Sequence, residues 1–120
     1  MPAAVPDGRW NEGVGRKGED LAAAWYEARG YAVVARNWRS AAGEIDIVAR
    51  RGRLVVIAEV KARSSETFGA PVEAVVREKQ LRLRRLGAEW LRDAGVRGVG
   101  IRYDVVSVLR GSVEVLEDAF

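Results

Sequence analysis

The chain has 120 residues, 48% of them hydrophobic, which suits one compact domain, leaves no room for two, and makes any function the work of one site or one surface. It contains neither cysteine nor histidine, which excludes disulfides, thiolate metal sites, Cys or His nucleophiles and imidazole general bases, so any metal would be held by oxygen. The formal charge is +3 and the basic residues are almost all arginine, which fits phosphate contacts and fits an ordinary solvated surface equally well.

The first fourteen residues carry two of the three prolines and no apolar periodicity, and read as a flexible arm ahead of a single domain at 15–120. They lack a basic region followed by an apolar run, and no later stretch has the length of a membrane span, so a soluble cytoplasmic protein is expected. A first helix follows over about Arg16 to Arg29. Leu21, Ala24, Trp25 and Ala28 form its apolar stripe, and Gly30 stands at the C-terminal cap position. On that stripe Glu19 lies about 160° away and faces solvent, a first-turn carboxylate favoured by the helix dipole. "YAVVARNWR" reads as a strand, and two more are expected near Glu44 to Arg50 and Leu54 to Ala62.

After a polar loop, Pro71 is placed to start a helical turn that leads into a longer helix, on which Val76, Leu83, Leu86, Trp90 and Ala94 make one stripe and Gly95 ends it. "IRYDVVSVLRGSVEVL" then alternates as a strand, turns at Arg110 to Ser112 and ends in a last short strand. The order is helix, three strands, helix, two strands, an α/β arrangement with no internal repeat.

Three formal charges interrupt the apolar strands: Asp46 in "GEIDIVAR", and Glu59 and Lys61 in "LVVIAEVKA". Alternation puts Glu59 and Lys61 on one face of their strand. If the hairpin turns through Arg51 to Leu54, Asp46 lies across from Glu59, Val48 from Ile57 and Arg50 from Val55; a three-residue loop would send Asp46 to the opposite face. Two facing carboxylates repel unless a proton, a cationic side chain or a metal ion neutralises them, and a hard divalent cation such as Mg²⁺ does so with carboxylates and water. Such an ion acidifies water and polarises a phosphoryl oxygen, and a neighbouring ammonium assists, so Asp46, Glu59 and Lys61 are a minimal set for phosphodiester hydrolysis. A structural Glu59 to Lys61 salt bridge is the competing explanation; the apolar flanks favour a site.

These residues carry a resemblance. "GRKGEDLAAAWYEARGYAVVARNWR", "GEIDIVAR", "EVKARS", "FGAPVEAV", "YDVVSV" and "DAF", in that order from Gly15 onward, resemble the YraN-type family of small bacterial proteins. That family is similar to archaeal Holliday junction resolvases and to the PD-(D/E)XK restriction-endonuclease-like superfamily. The resemblance implies a restriction-endonuclease-like fold, with a mixed central sheet flanked by helices, and hydrolysis of DNA, branched DNA included, with Mg²⁺ or Mn²⁺. By resemblance Asp46 is the metal-binding aspartate, Glu59 and Lys61 are the acidic residue and lysine of the (D/E)XK element, and Glu19 joins the metal site. Asp46 is preceded by Ile45 where the name-giving motif has proline. A homodimer is expected on the same ground.

Among the remaining basic residues, Arg16 is placed to pair with Glu19 or contact phosphate, and Lys79 falls on the apolar stripe of the second long helix, either snorkelling or directed at the site. Arg51 and Arg53, with Arg50, cluster at the hairpin tip, and Arg77, Arg84, Arg85 and Arg92 line the far helix face; either group could follow a nucleic-acid backbone or simply be solvated. The alternative function is a nucleic-acid-binding module that does not cleave. Asp104, between apolar residues, is expected to pair with Arg102 or Lys79 and is left outside the site.

Overall fold

A computed structural model describes the backbone of residues 6–63 and 77–120 and the side chains of 16–62 and 77–120. The elements are α1 (Pro6–Ala28), β1 (Ala32–Ser40), β2 (Gly43–Arg51), β3 (Leu54–Arg63), α2 (Arg77–Ala94), β4 (Gly100–Leu109) and β5 (Ser112–Leu116). This is the order the sequence implies. The expected loop after β3, the helical start at Pro71 and Val76 lie outside the described residues. Helix α1 begins ten residues before the expected Arg16, at a proline followed by an aspartate, a pair that suits a first helical turn.

Both helices end as their glycines predict. Gly30 has φ 88°, and the amides of Gly30 and Tyr31 donate to the carbonyls of Glu27 and Tyr26; Gly95 and Val96 repeat the pattern on Arg92 and Leu91.

One sheet holds all five strands in the order β1-β2-β3-β4-β5. It is mixed: β1, β2 and β3 are antiparallel neighbours, β4 lies parallel to β3, and β5 is antiparallel to β4. A parallel neighbour needs a crossover, and α2 supplies it. The β2–β3 register pairs Val48 with Ile57, Arg50 with Val55 and Arg51 with Leu54, as the Arg51 to Leu54 turn requires. Gly52, at φ 61°, takes the first central position, where the common two-residue hairpin wants glycine.

The helices cover opposite faces of the sheet. Against α1 lie Ile47, Ala49, Val56, Ala58, Val106 and Val108; against α2 lie Ile45, Val48, Val55, Ile57 and Tyr103, meeting Leu83, Leu86 and Trp90. Burying each of the larger aliphatic side chains stabilises the fold by about 1.5–3 kcal/mol.

The buried side of α1 is not the expected stripe. Gly18, Ala22, Ala23 and Tyr26 face the sheet, whereas Leu21, Ala24 and Ala28 are exposed. Small residues win because α1 approaches closely: a Cβ on Gly18 would stand 2.6 Å from the Ala62 Cβ. On α2 the expected Leu83, Leu86 and Trp90 are buried and Ala94 is exposed.

Asp104 is fully buried and fully engaged. Its carboxylate accepts hydrogen bonds from the Tyr26 hydroxyl at 2.7 Å, from Arg102 Nε and Nη2 at 2.9 Å each, and from the Asp118 amide at 3.0 Å. Burial and the neighbouring carboxylate push the Tyr26 hydroxyl well above the ordinary tyrosine range. Of the two partners expected for Asp104, Arg102 is the one it has.

Candidate active site

The charged residues of β2 and β3 meet at the end of the sheet where β3 approaches its C-terminus, and both helices lean over that end. From one face α1 brings Gly18 against Ala62, with Glu19 beside it; from the other, α2 brings Lys79 from its first turn.

Glu59 occupies a strand position between Ala58 and Val60 and its side chain is only 10% exposed. Its Oε2 takes two ammonium groups, Lys79 Nζ at 2.6 Å and Lys61 Nζ at 3.3 Å. Lys61 was expected here; Lys79 makes the shorter contact. Of the two expectations for Lys79, snorkelling or direction at the site, its contact with Glu59 matches the second.

Asp46 faces the same pocket by another route. Its Oδ2 accepts the Val60 amide at 2.8 Å, a donor that β3 would otherwise offer to a backbone carbonyl. The regular ladder stops one pair earlier, at Ile47 and Ala58. Ile45 and Val48 pack on the α2 side and Ile47 on the α1 side, so the period-two alternation of β2 breaks beside Asp46. Across β1, Asn37 sits between the pairs Arg36 with Ile47 and Trp38 with Ile45, and has φ 53°. A left-handed residue inside a strand is uncommon, although asparagine tolerates it better than most.

That conformation serves Glu19. Asn37 Nδ2 donates to Glu19 Oε1 at 2.9 Å, and Arg36 lies 3.5 Å from the same oxygen while its stronger contact, 2.7 Å, is to Asp20. The Glu19 side chain is 14% exposed, not solvent-facing as the Leu21 stripe implied. Measured from the true buried face of Ala22, Ala23 and Tyr26, Glu19 is only about 15° off centre.

The protonation states follow from this crowding. Burial pushes the Asp46 carboxyl up to about 7, Glu59 adds to the effect, the Val60 amide opposes it, and Glu19 and Glu44 contribute further repulsion. Burial lowers Lys61, and the neighbouring Lys79 lowers it further. Burial pulls Lys79 down more than any single partner raises it, but its hydrogen bonds to Glu59 and Lys61 and the charges of Glu59 and Asp46 together leave it raised.

A pocket of about 200 Å³ opens on these groups, lined by Gly43, Glu44, Asp46, Glu59, Lys79 and Arg82 among others. The donors fit a hard cation held by the Asp46 and Glu59 carboxylates with water completing its shell, since two crowded oxygen ligands, one of them favouring the neutral form, gain most from a positive charge. They do not form a larger cage: among the described residues no group of three or more carboxylates could hold an ion together. Glu19 is held by Asn37 and Arg36, and its charge reaches Asp46 through space.

The other basic candidates lie apart. Arg51 donates from Nη1 to the Arg29 carbonyl at 2.9 Å and stacks over Tyr31, tying the hairpin tip to the end of α1. Arg53 is exposed at that tip, about 20 Å along β3 from Glu59 at the usual strand rise. Arg16 is exposed two residues before Gly18, and Arg36 is the cation beside Glu19. Sequence reasoning missed Asn37 and Arg36, whose signal, a polar pair interrupting a β-rich run, reads equally as an exposed edge. Among the described residues no helix is long and apolar enough to cross a membrane.

Comparison with known proteins gives a consistent answer. Residues 18–108 match the family model described as "Uncharacterised protein family UPF0102". A UPF0102 protein of Leifsonia xyli is 50% identical over 96 residues, covering 80% of this chain and 81% of its own length. One from Rhodococcus jostii is 44% identical over 115 residues, with 92% and 98% covered, and one from Moorella thermoacetica is 46% identical over 112 residues, with 88% and 93% covered. The matched span includes every residue of the pocket, and the chain belongs to the UPF0102, or YraN-type, family.

Proposed function

We propose that the chain is a metal-dependent nuclease that hydrolyses phosphodiester bonds in DNA, branched DNA being the favoured substrate. The observation that carries this reading is the convergence of Asp46, Glu59 and Lys79 on one pocket at an open sheet end, with Lys61 paired to the same Glu59 oxygen. Asp46 and Glu59 would hold Mg²⁺ or Mn²⁺. The ion supplies an acidified water and neutralises charge on the phosphoryl group.

The chain's own residues do the rest. Lys61, lowered by burial and by Lys79, is the ammonium best suited to give up a proton and take one from the attacking water. Glu19 keeps the field at Asp46 negative, which favours a cation there. Arg82, on the pocket wall, offers a planar fork for a phosphate oxygen.

A second reading, a nucleic-acid-binding module that does not cleave, is favoured by one observation: both lysines already neutralise Glu59. Incubation with labelled four-way junction, flap, single-stranded and duplex DNA, with Mg²⁺, Mn²⁺ or EDTA, separates the two. The nuclease cleaves only with metal, and Glu59→Ala and Lys61→Ala each lower the rate by about 10²-fold or more. Salt-dependent binding without cleavage would leave the module.

A further inference from the structure

We propose that Lys79 is a built-in counter-cation, seated on the Glu59 oxygen that an incoming divalent ion needs, and released into the pocket when the ion binds. The inference rests on the metal reading above and adds a competitor to it.

The cations near the pocket are unevenly shared between its two carboxylates. Two ammonium groups share Glu59 Oε2, whereas the Asp46 carboxylate has the Val60 amide and no cation at comparable range among the described residues. A single divalent ion between the carboxylates would serve both, and the two lysines together carry the same charge on one of them.

The residue type is informative. The chain has three lysines, Lys17, Lys61 and Lys79, among 20 basic residues, and two of the three meet here. An ammonium is a compact, strongly hydrated point charge, closer to a hard cation than the flat fork of arginine is. In a chain that otherwise uses arginine, two of the three lysines stand where an ion-sized charge is wanted.

Position decides which lysine leaves. Lys61 projects from β3 two residues beyond Glu59, so the strand itself keeps the two groups adjacent. Lys79 reaches in from the first turn of α2 on a flexible four-carbon stem, is 31% exposed, and lines the pocket into which it would swing.

Amine footprinting tests this directly, because three lysines give a simple map. The wild-type protein is treated with limiting acetic anhydride, with and without saturating Mg²⁺ or Mn²⁺, and acetylation is read by mass spectrometry, while calorimetry measures ion binding. The expected result is a several-fold rise in Lys79 acetylation with the ion and no change at exposed Lys17. Calorimetry of Lys79→Met should show ion binding about tenfold tighter than wild type, with a much smaller gain for Arg82→Met, which removes a charge from the same pocket without freeing Glu59. Ion binding that leaves Lys79 acetylation unchanged, or equal gains in the two variants, overturns the inference and spares the metal reading. No binding to wild type or Lys79→Met overturns both; binding only to Lys79→Met supports the inference strongly.

Discussion

Asp46→Asn should stabilise the protein, and the stabilisation should depend on pH in a defined way. The Asp46 carboxyl is pushed from its ordinary value of 3.8 up to about 7, by burial first and by Glu59 second. Between those values the folded chain holds a proton that the unfolded chain has lost, so the stability contributed through this group is complete below about pH 4 and falls as pH rises towards 7. At 1.36 kcal/mol per unit, a shift of about three units amounts to about 4 kcal/mol, a large share of a small domain's stability. Asparagine keeps an oxygen for the Val60 amide and offers Glu59 a donor in place of a like charge. Urea denaturation of both proteins in EDTA, from pH 4 to pH 8.5, should give nearly equal stabilities at the acid end and a variant more stable by about 2–4 kcal/mol at the alkaline end, the gain appearing across about pH 4–7. Saturating Mg²⁺ should narrow the alkaline gap, because wild type alone has both ligands. A variant equally or less stable than wild type at pH 8.5 in EDTA would refute the argument that Asp46 is held in an unfavourable ionised state.

Other substitutions test separate parts of the reasoning. Asp104→Ala leaves Arg102 and the Tyr26 hydroxyl without their buried partner and should cost about 3–5 kcal/mol by urea denaturation, whereas Tyr26→Phe, which removes one of four donors, should cost about 1–2 kcal/mol. Gly18→Ala drives a methyl into Ala62 and should destabilise by about 1–3 kcal/mol; if α1 shifts to accommodate it, the Asn37 side-chain amide resonances in NMR will move as the contact with Glu19 opens. Asn37→Gly should be tolerated better than Asn37→Ala by about 1 kcal/mol in thermal unfolding, since only alanine bears the strain of φ 53°; equal stabilities would mean that the strand has relaxed.

Much of this molecule was legible in its sequence because each element announced itself by more than one signal. Helix α2 had apolar spacing, a terminal glycine and an arginine-rich outer face; the β2–β3 hairpin had strand composition and a glycine at its turn, and its register followed from the turn length. Helix α1 was misread on its buried side because apolar size was taken as the guide. Leu21 looked like the core but is exposed and Trp25 packs only at the core's edge; the closest approach, at Gly18, admits no side chain, and Ala22, Ala23 and the fully buried Tyr26 complete the contact. That error carried Glu19 to solvent by periodicity, and only the family resemblance returned it to the site. Asn37 was illegible for another reason: a left-handed residue within a strand is fixed by what packs across it, and no local pattern encodes that.

The two buried acidic centres show how burial can distinguish support from chemistry. Asp104 is the more deeply buried, yet it has an arginine, a tyrosine and a backbone amide on its oxygens, each within 3.0 Å, and nothing about it is unresolved. Asp46 and Glu59 lie nearer the surface and are less well served: one carboxylate has two cations, the other has a single amide, and they repel each other. Three irregularities of the sheet share this place, the broken alternation of β2, the interrupted ladder and the left-handed Asn37 all falling in the row that contains Asp46, while a separate register shift between Val33 and Ala35 lies further along β1. A fold selected for stability alone would resolve such a conflict with apolar residues or with full pairing, as it does at Asp104. Its concentration in one row, facing one pocket, is what a site that waits for a cation would look like, and it is why the Lys79 contact with Glu59 is better understood as a provisional neutralisation than as a permanent brace.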